Sequence, residues 1–235
     1  MNDSYFDAYA SDYDQALQSG LSVSGESSEF FARSRLSWLR RRLDEFGTSV
    51  DSVLDFGCGV GAATDHFISE LGVQRYLGID PSVASIGLAQ ENLSSRDLDK
   101  NHRIDYQNTA DYDPDEQFDL VFCNGVFHHI ALEDRSHAMK TIFRSIRPGG
   151  VFAFWENNPY SIPARYVMSR IPFDRDAIMV WPRQARKQMR DVGFDVLITD
   201  YCFLFPAMMS WLRWSEGLVR HAPLGAQYLI LSMKR

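Results

Sequence analysis

Apolar positions along this 235-residue chain follow two patterns that take turns. Short dense runs, such as Phe118-Asp119-Leu120-Val121-Phe122, broken only by Asp119, and Val151-Phe152-Ala153-Phe154-Trp155, read as buried strands. Between them, apolar residues return at every third or fourth position, as Leu36, Leu39, Leu43 and Phe46 do, which is the spacing of a helix with one buried face. The pattern predicts strands ending at Leu54 and over 75–79, 104–107, 118–122, 151–155, 195–201 and 227–233. It predicts helices over 29–46, 62–71, 81–93, 132–147, 182–192 and 206–220. Pro148-Gly149-Gly150 is read as the stop of the fourth of these, and Gly193 as the cap of the fifth. In the last, Met208, Trp211, Leu212, Ser215, Leu218 and Val219 share a face, with Arg213, Glu216 and Arg220 opposite. Strands alternating with helices point to a parallel sheet covered on both sides.

Composition narrows the class without naming it. Hydrophobic residues make up 45% and charged residues 23%, the balance of an ordinary globular domain. A net charge of -7 argues against nucleic acid as a partner, because broad phosphate contact needs a basic surface. Three cysteines, odd in number and without C-x-x-C spacing, suggest neither a disulfide framework nor a metal site, so no metal is expected. Met1-Asn2-Asp3-Ser4 shows no leader pattern, and no apolar run is long enough to span a bilayer, so a cytoplasmic protein without an integral membrane segment is expected. A monomer or homodimer is the expected state.

The chemistry begins at Val53-Leu54-Asp55-Phe56-Gly57-Cys58-Gly59-Val60-Gly61, where a strand turns sharply into a helix. Residues without a Cβ let the chain reach unusual dihedrals and let a ligand lie on bare backbone. Asp80 ends the next strand about 20 residues on, where a carboxylate grips ribose hydroxyls. Gly57, Gly59 and Ala62 also satisfy the dinucleotide pattern. Asp55 decides between the two, since a carboxylate there repels a pyrophosphate and favours a cationic sulfonium and ammonium. Cys58, with no histidine beside it in sequence, is a small residue in a tight turn rather than a nucleophile.

Asp55-Phe56-Gly57-Cys58-Gly59-Val60-Gly61 resembles the first motif of the class I S-adenosylmethionine (SAM)-dependent methyltransferases, and Phe118-Asp119-Leu120-Val121 resembles their fourth strand. The resemblance implies an α/β fold: a Rossmann-like seven-stranded sheet with helices on both faces, an N-terminal helical cap and a lid inserted after the fifth strand. It divides a single domain into a cap (1–49), a SAM-binding core (50–157), a lid (158–181) and a C-terminal completion of the sheet (182–235). The cofactor would meet Tyr13, Asp55, Gly57, Cys58, Gly59, Gly61, Asp80 and Pro81. It would also meet Thr109, Ala110 and Asp111 around the adenine, then Cys123, Asn124 and His128 at the next strand end.

Acceptor chemistry is fainter, because methyl transfer from a sulfonium asks mainly for alignment. His128 and His129, since imidazole titrates near neutrality, and Glu156 at the end of the fifth strand, are the candidates for proton removal. Tyr9, Trp155, Tyr160, Tyr166 and Arg170 are the expected substrate contacts, in an aromatic cavity suited to a small apolar or aromatic acceptor. The reaction expected is methyl transfer to oxygen, nitrogen or carbon. Competing readings are a SAM-binding regulatory or scaffolding protein without turnover, an NAD-dependent oxidoreductase, and a methyltransferase for lipid-linked substrates in peripheral contact with a membrane through Trp211 and Trp214.

Overall fold

The computed structural model describes residues 13–94, 102–115, 117–175 and 177–235, with side chains from residue 17 onward. Seven strands form one sheet in the order β3-β2-β1-β4-β5-β7-β6. They are β1 (Ser52–Phe56), β2 (Arg75–Asp80), β3 (Arg103–Asn108), β4 (Phe118–Asn124), β5 (Ile146–Asn157), β6 (Phe194–Cys202) and β7 (Gln227–Lys234). The first five run parallel, and β7 inserts antiparallel between β5 and β6. Strand order reverses between β1 and β4, so the loops leaving those two strands open side by side, where open α/β sheets place ligands.

Each face of the sheet has its own apolar layer. On one, Val53, Tyr76, Leu120, Trp155 and Leu229 pack under α2–α4, chiefly through Leu36, Leu39, Phe67 and Ile86, while α1 lies against α2. Here α1 is Tyr13–Leu21, α2 Ser28–Glu45, α3 Thr64–His66 with a π-helical turn Phe67–Leu71, and α4 Val83–Ser94. The opposite face, with Leu54, Ile79, Val121, Phe152 and Phe154, packs under α5 (Arg135–Ser145) and α7 (Pro182–Val192) through Met139, Ile142, Ala185 and Met189. Between β5 and α7 stands α6 (Ile162–Arg170), started by the Ser161 hydroxyl, which accepts the Ala164 amide, with a short turn Pro172–Asp174 after it.

Two sequence expectations are corrected. The helix expected over 132–147 ends at Ser145, and Ile146 already pairs with Phe118. Pro148-Gly149-Gly150 therefore forms an irregularity inside β5 rather than a helix stop. Gly150 is required there, because a Cβ would stand 2.9 Å from the Asp119 carbonyl. The helix expected over 206–220 is a 3-10 segment, Ala207–Ser215, followed by a single α-helical turn, α8 (Glu216–Val219). Its sidedness is the reverse of a packed amphipathic helix. Met208, Trp211, Trp214 and Leu218 are 71–85% exposed, whereas Glu216 is buried.

Candidate active site

The turn after β1 is held from below by β2. The amides of Gly57 and Cys58 both donate to the Ile79 carbonyl, at 2.8 and 3.1 Å. Gly57, Gly59 and Gly61 all have positive φ. At Gly59 an added Cβ would meet nothing within 4 Å, so this backbone faces open space. Gly61 is the opposite case, with its α-carbon against Tyr106. Gly78 on β2, which sequence reasoning passed over, leaves room for both Cys58 and Tyr106.

Asp80 is fixed across this turn: Oδ2 accepts the Gly59 amide at 3.0 Å and Oδ1 the Ser82 amide at 2.9 Å. Beneath the turn, Asp55 is buried and accepts the Tyr76 hydroxyl at 2.9 Å. Burial pushes its carboxyl up to about 7; the Tyr76 bond opposes this and Asp80 adds to it. Burial also raises the Cys58 and Cys123 thiols, which argues against either as a nucleophile. Beside them, the Asn124 Oδ1 is buried without a hydrogen-bond partner among the described residues.

Thr109, Ala110 and Asp111 form a 3-10 turn at the end of β3. Asn108, missed in the sequence reading, organises it: Oδ1 accepts the Ala110 amide at 2.8 Å while Nδ2 donates to the Pro81 carbonyl at 2.9 Å. An amide side chain that ties two loops carries no spacing signal, so only the folded chain reveals it.

The loop after β4 is built around Glu156. Its Oε1 accepts the Phe127 amide at 2.9 Å, and its Oε2 lies 2.6 Å from His128 Nδ1. Glu156 and His128 are 1% and 4% exposed, so each is spent on the other. Asp174, from the turn after α6, approaches from the far side, 3.3 Å from His128 Nε2 and 3.1 Å from His129 Nε2. The segment after α6 is stitched down further by the Ile178 amide, which donates to the His128 carbonyl, and by Arg135, which donates to the carbonyls of Ile130 and Ile178. Desolvation lowers His129, while the two carboxylates outweigh burial and raise His128 to about 10.

The expected substrate contacts are scattered. Tyr160 and Tyr166 stand about half exposed between β5 and the end of α6, and Arg170 donates to the Tyr166 hydroxyl at 2.9 Å. Trp155, expected in the cavity wall, is wholly buried on the α2 side of the sheet, because its place on β5 points it into that layer. Tyr9 lies outside the described residues, as does the side chain of Tyr13.

Residues 54–152 match the family model for a methyltransferase domain. A probable S-adenosylmethionine-dependent methyltransferase of Saccharomyces cerevisiae is 35% identical over 108 residues, covering 44% of this chain and 35% of that one. A trans-aconitate 2-methyltransferase of Rhizobium rhizogenes is 27% identical over 125 residues, covering 52% and 44%. The chain thus spans less than half the length of either relative. Among solved structures, a SAM-dependent methyltransferase from Archaeoglobus fulgidus aligns with a TM-score of 0.64 at 17% identity over 88% of this chain and 95% of that one. A possible histamine N-methyltransferase from Thermotoga maritima aligns with a TM-score of 0.63 at 15% identity over 98% of both. The acidic glycine turn, this strand order and the matched segment agree: residues 54–152 resemble a methyltransferase domain, the sheet has the fold of SAM-dependent methyltransferases, and S-adenosylmethionine is the cofactor this likeness supports.

Proposed function

We propose that this chain transfers a methyl group from SAM to an oxygen, nitrogen or carbon atom of a small apolar or aromatic acceptor. The observation that carries the reading is an open backbone cradle paired with an anchored carboxylate. Gly59 leaves space above the turn, and Asp80 is locked beside it by the Gly59 and Ser82 amides, at the strand end where a carboxylate meets ribose hydroxyls. The residues fit the cofactor's charges as well. An ammonium group only donates, and Asn124 offers a buried acceptor without a partner among the described residues, with Asp55 below the turn. Tyr13, Cys58, Pro81, Cys123 and His128 complete the proposed shell, and Thr109, Ala110 and Asp111 border the adenine.

When bound, the cofactor supplies a methyl group already activated by its sulfonium. The work left to the protein is to hold the acceptor in line and keep water out. Of the three groups expected to assist with protons, His128 and Glu156 are committed to one another. Positioning rather than general-base catalysis is therefore the mechanism proposed. Tyr160, Tyr166 and Arg170 on the insertion are the proposed acceptor contacts. Incubation with methyl-labelled SAM and a metabolite extract tests the reading. A labelled small molecule is the expected product; cofactor binding without any product would support a regulatory or scaffolding role instead.

A second reading, action on a lipid-linked acceptor at a membrane surface, is favoured by the exposed row Met208, Trp211, Trp214 and Leu218. Large apolar and indole side chains suit the headgroup boundary of a bilayer. No helix among the described residues is long and apolar enough to cross one. Cosedimentation with liposomes, lost in Trp211→Ala/Trp214→Ala, is the result that would support it.

A further inference from the structure

The cluster where the insertion meets the loop after β4 has more to explain than an ion pair. The ligand atoms of His128, His129 and Asp174 all lie within 4.8 Å of one another. Asp174 Oδ1 is 3.3 Å from one imidazole Nε2 and 3.1 Å from the other. Around a tetrahedral ion with ligands at about 2.0–2.2 Å, neighbouring donor atoms stand about 3.3–3.5 Å apart. The two separations from Asp174 are close to that spacing, and the remaining one is no more than 4.8 Å, so a small inward shift of the imidazoles would complete the set.

Glu156 fixes which atom faces inward. Its carboxylate, 2.6 Å from His128 Nδ1, keeps the proton on that nitrogen. Nε2 then faces the Asp174 carboxylate at 3.3 Å, a separation that a proton or a bound cation can bridge. A carboxylate holding the outer nitrogen of a ligating histidine is the recurrent second layer of metal sites.

Charge leads to the same place. Glu156 and Asp174 are 1% and 7% exposed, and buried carboxylates demand compensation. The neighbouring cation, Arg135, spends its Nε and one terminal nitrogen on the carbonyls of Ile130 and Ile178.

We infer that His128, His129 and Asp174 form a three-ligand site for a first-row divalent cation such as Zn2+, with Glu156 orienting His128, and that the ion fastens the segment after α6 to the loop after β4. Two imidazoles and one carboxylate suit Zn2+, Co2+, Mn2+ or Fe2+, whereas Mg2+ and Ca2+ favour sites made of oxygen. Three protein ligands leave one position free for a water or other small ligand.

The test uses the full chain, stripped with a chelator and titrated with Zn2+ by calorimetry and with Co2+ by visible absorption. The expected result is one equivalent of either ion, with a Co2+ d–d band of a four- or five-coordinate site. Affinity should fall at least about 100-fold in His129→Gln and in Asp174→Asn, and by about 10–100-fold in Glu156→Gln. Zn2+ should also slow proteolytic cleavage within residues 159–181 of the wild-type chain but not of His129→Gln, a variant whose fold is checked by circular dichroism. Wild type binding no more ion than His129→Gln, or showing no protection, would overturn the proposal and leave a proton as the positive centre of the cluster.

Discussion

The Tyr76 hydroxyl donates to Asp55 at 2.9 Å directly beneath the glycine turn. The acidic residue of the first motif is buried there, and burial, only partly opposed by this contact, holds its carboxyl at about 7 rather than in the usual range. The charge that selects a cationic ligand is thus only half formed near neutrality. Cys58, Cys123 and Asp80 surround it, and none of them supplies a positive charge.

A pH dependence follows with a definite sign. Because the folded pKa lies above the unfolded one, Asp55 favours folding fully below about pH 4, and that contribution is lost as pH rises through about 7. Asp55→Asn should therefore raise the thermal midpoint at pH 8.5 relative to wild type and leave it nearly unchanged at pH 5, as followed by calorimetry. Ligand binding should run the other way. SAM, which brings the counter-charge, should bind about tenfold tighter at pH 8 than at pH 6, and this slope should flatten in Asp55→Asn.

Two glycines of one turn should fail differently. At Gly59, φ is +54 and a Cβ would meet nothing within 4 Å, so Gly59→Ala carries only the left-handed backbone cost of about 1–2 kcal/mol. At Gly61, φ is +72 and a Cβ would stand 2.5 Å from the Tyr106 hydroxyl, which is bonded to Thr64 at 2.7 Å. Gly61→Ala should cost about 2–4 kcal/mol, the backbone term plus overpacking. Urea unfolding separates the two. Gly59→Ala should remain folded yet lose at least about tenfold in affinity for S-adenosylhomocysteine, because the new methyl fills the cradle.

How much of this could be read from the chain depends on whether a feature is local. The glycine turn, Asp80 and the buried runs of β1, β4 and β5 declare themselves through residues within a few positions of one another. Asp174 does not: it stands beside Arg175 in sequence, yet its partners are His128 and His129 across the insertion. Trp155 was misplaced because an all-apolar strand shows no alternation, and so does not say which face each residue joins. The exposed row at Met208, Trp211 and Trp214 was misread for a different reason. Three-residue spacing drifts around an α-helix, whereas in a 3-10 helix side chains at i and i+3 eclipse and all point one way.

Asp200 should be the costliest single removal on the α2 side of the sheet. It is fully buried on β6 and accepts the Arg42 Nε–H at 2.6 Å and the Trp38 indole N–H at 2.9 Å. Asp200→Ala leaves the Trp38 indole donor unpaired and the buried Arg42 guanidinium with Glu45 alone, a loss of about 2–4 kcal/mol by chemical denaturation. The double change Arg42→Met/Asp200→Leu should lose less than the single one, since it removes both charges and strands only the Trp38 donor.

Glu216 explains why the 3-10 segment turns its apolar side chains outward. Its Oε1 accepts the amides of Leu204 and Phe205, each at 3.0 Å, and its Oε2 accepts the Phe203 amide at 3.3 Å. Three consecutive donors can converge on one carboxylate because Phe203 adopts φ 63, which swings the chain into a concave nest. Arg213 faces inward too, donating to the Phe205 carbonyl and pairing with Glu26 at 2.7 Å. The polar side is thus the packed side, and stability should follow it. Glu216→Ala, which orphans three amides, should cost about 2–4 kcal/mol, and Glu216→Gln less, since one oxygen acceptor survives. Trp211→Ala and Trp214→Ala should each cost under about 0.5 kcal/mol, the allowance for surface substitutions. Had the indoles been the buried face, each truncation would cost about 3–5 kcal/mol. Guanidinium unfolding of the four variants decides it, and a large loss at either tryptophan with a small one at Glu216 would reverse the assignment of faces.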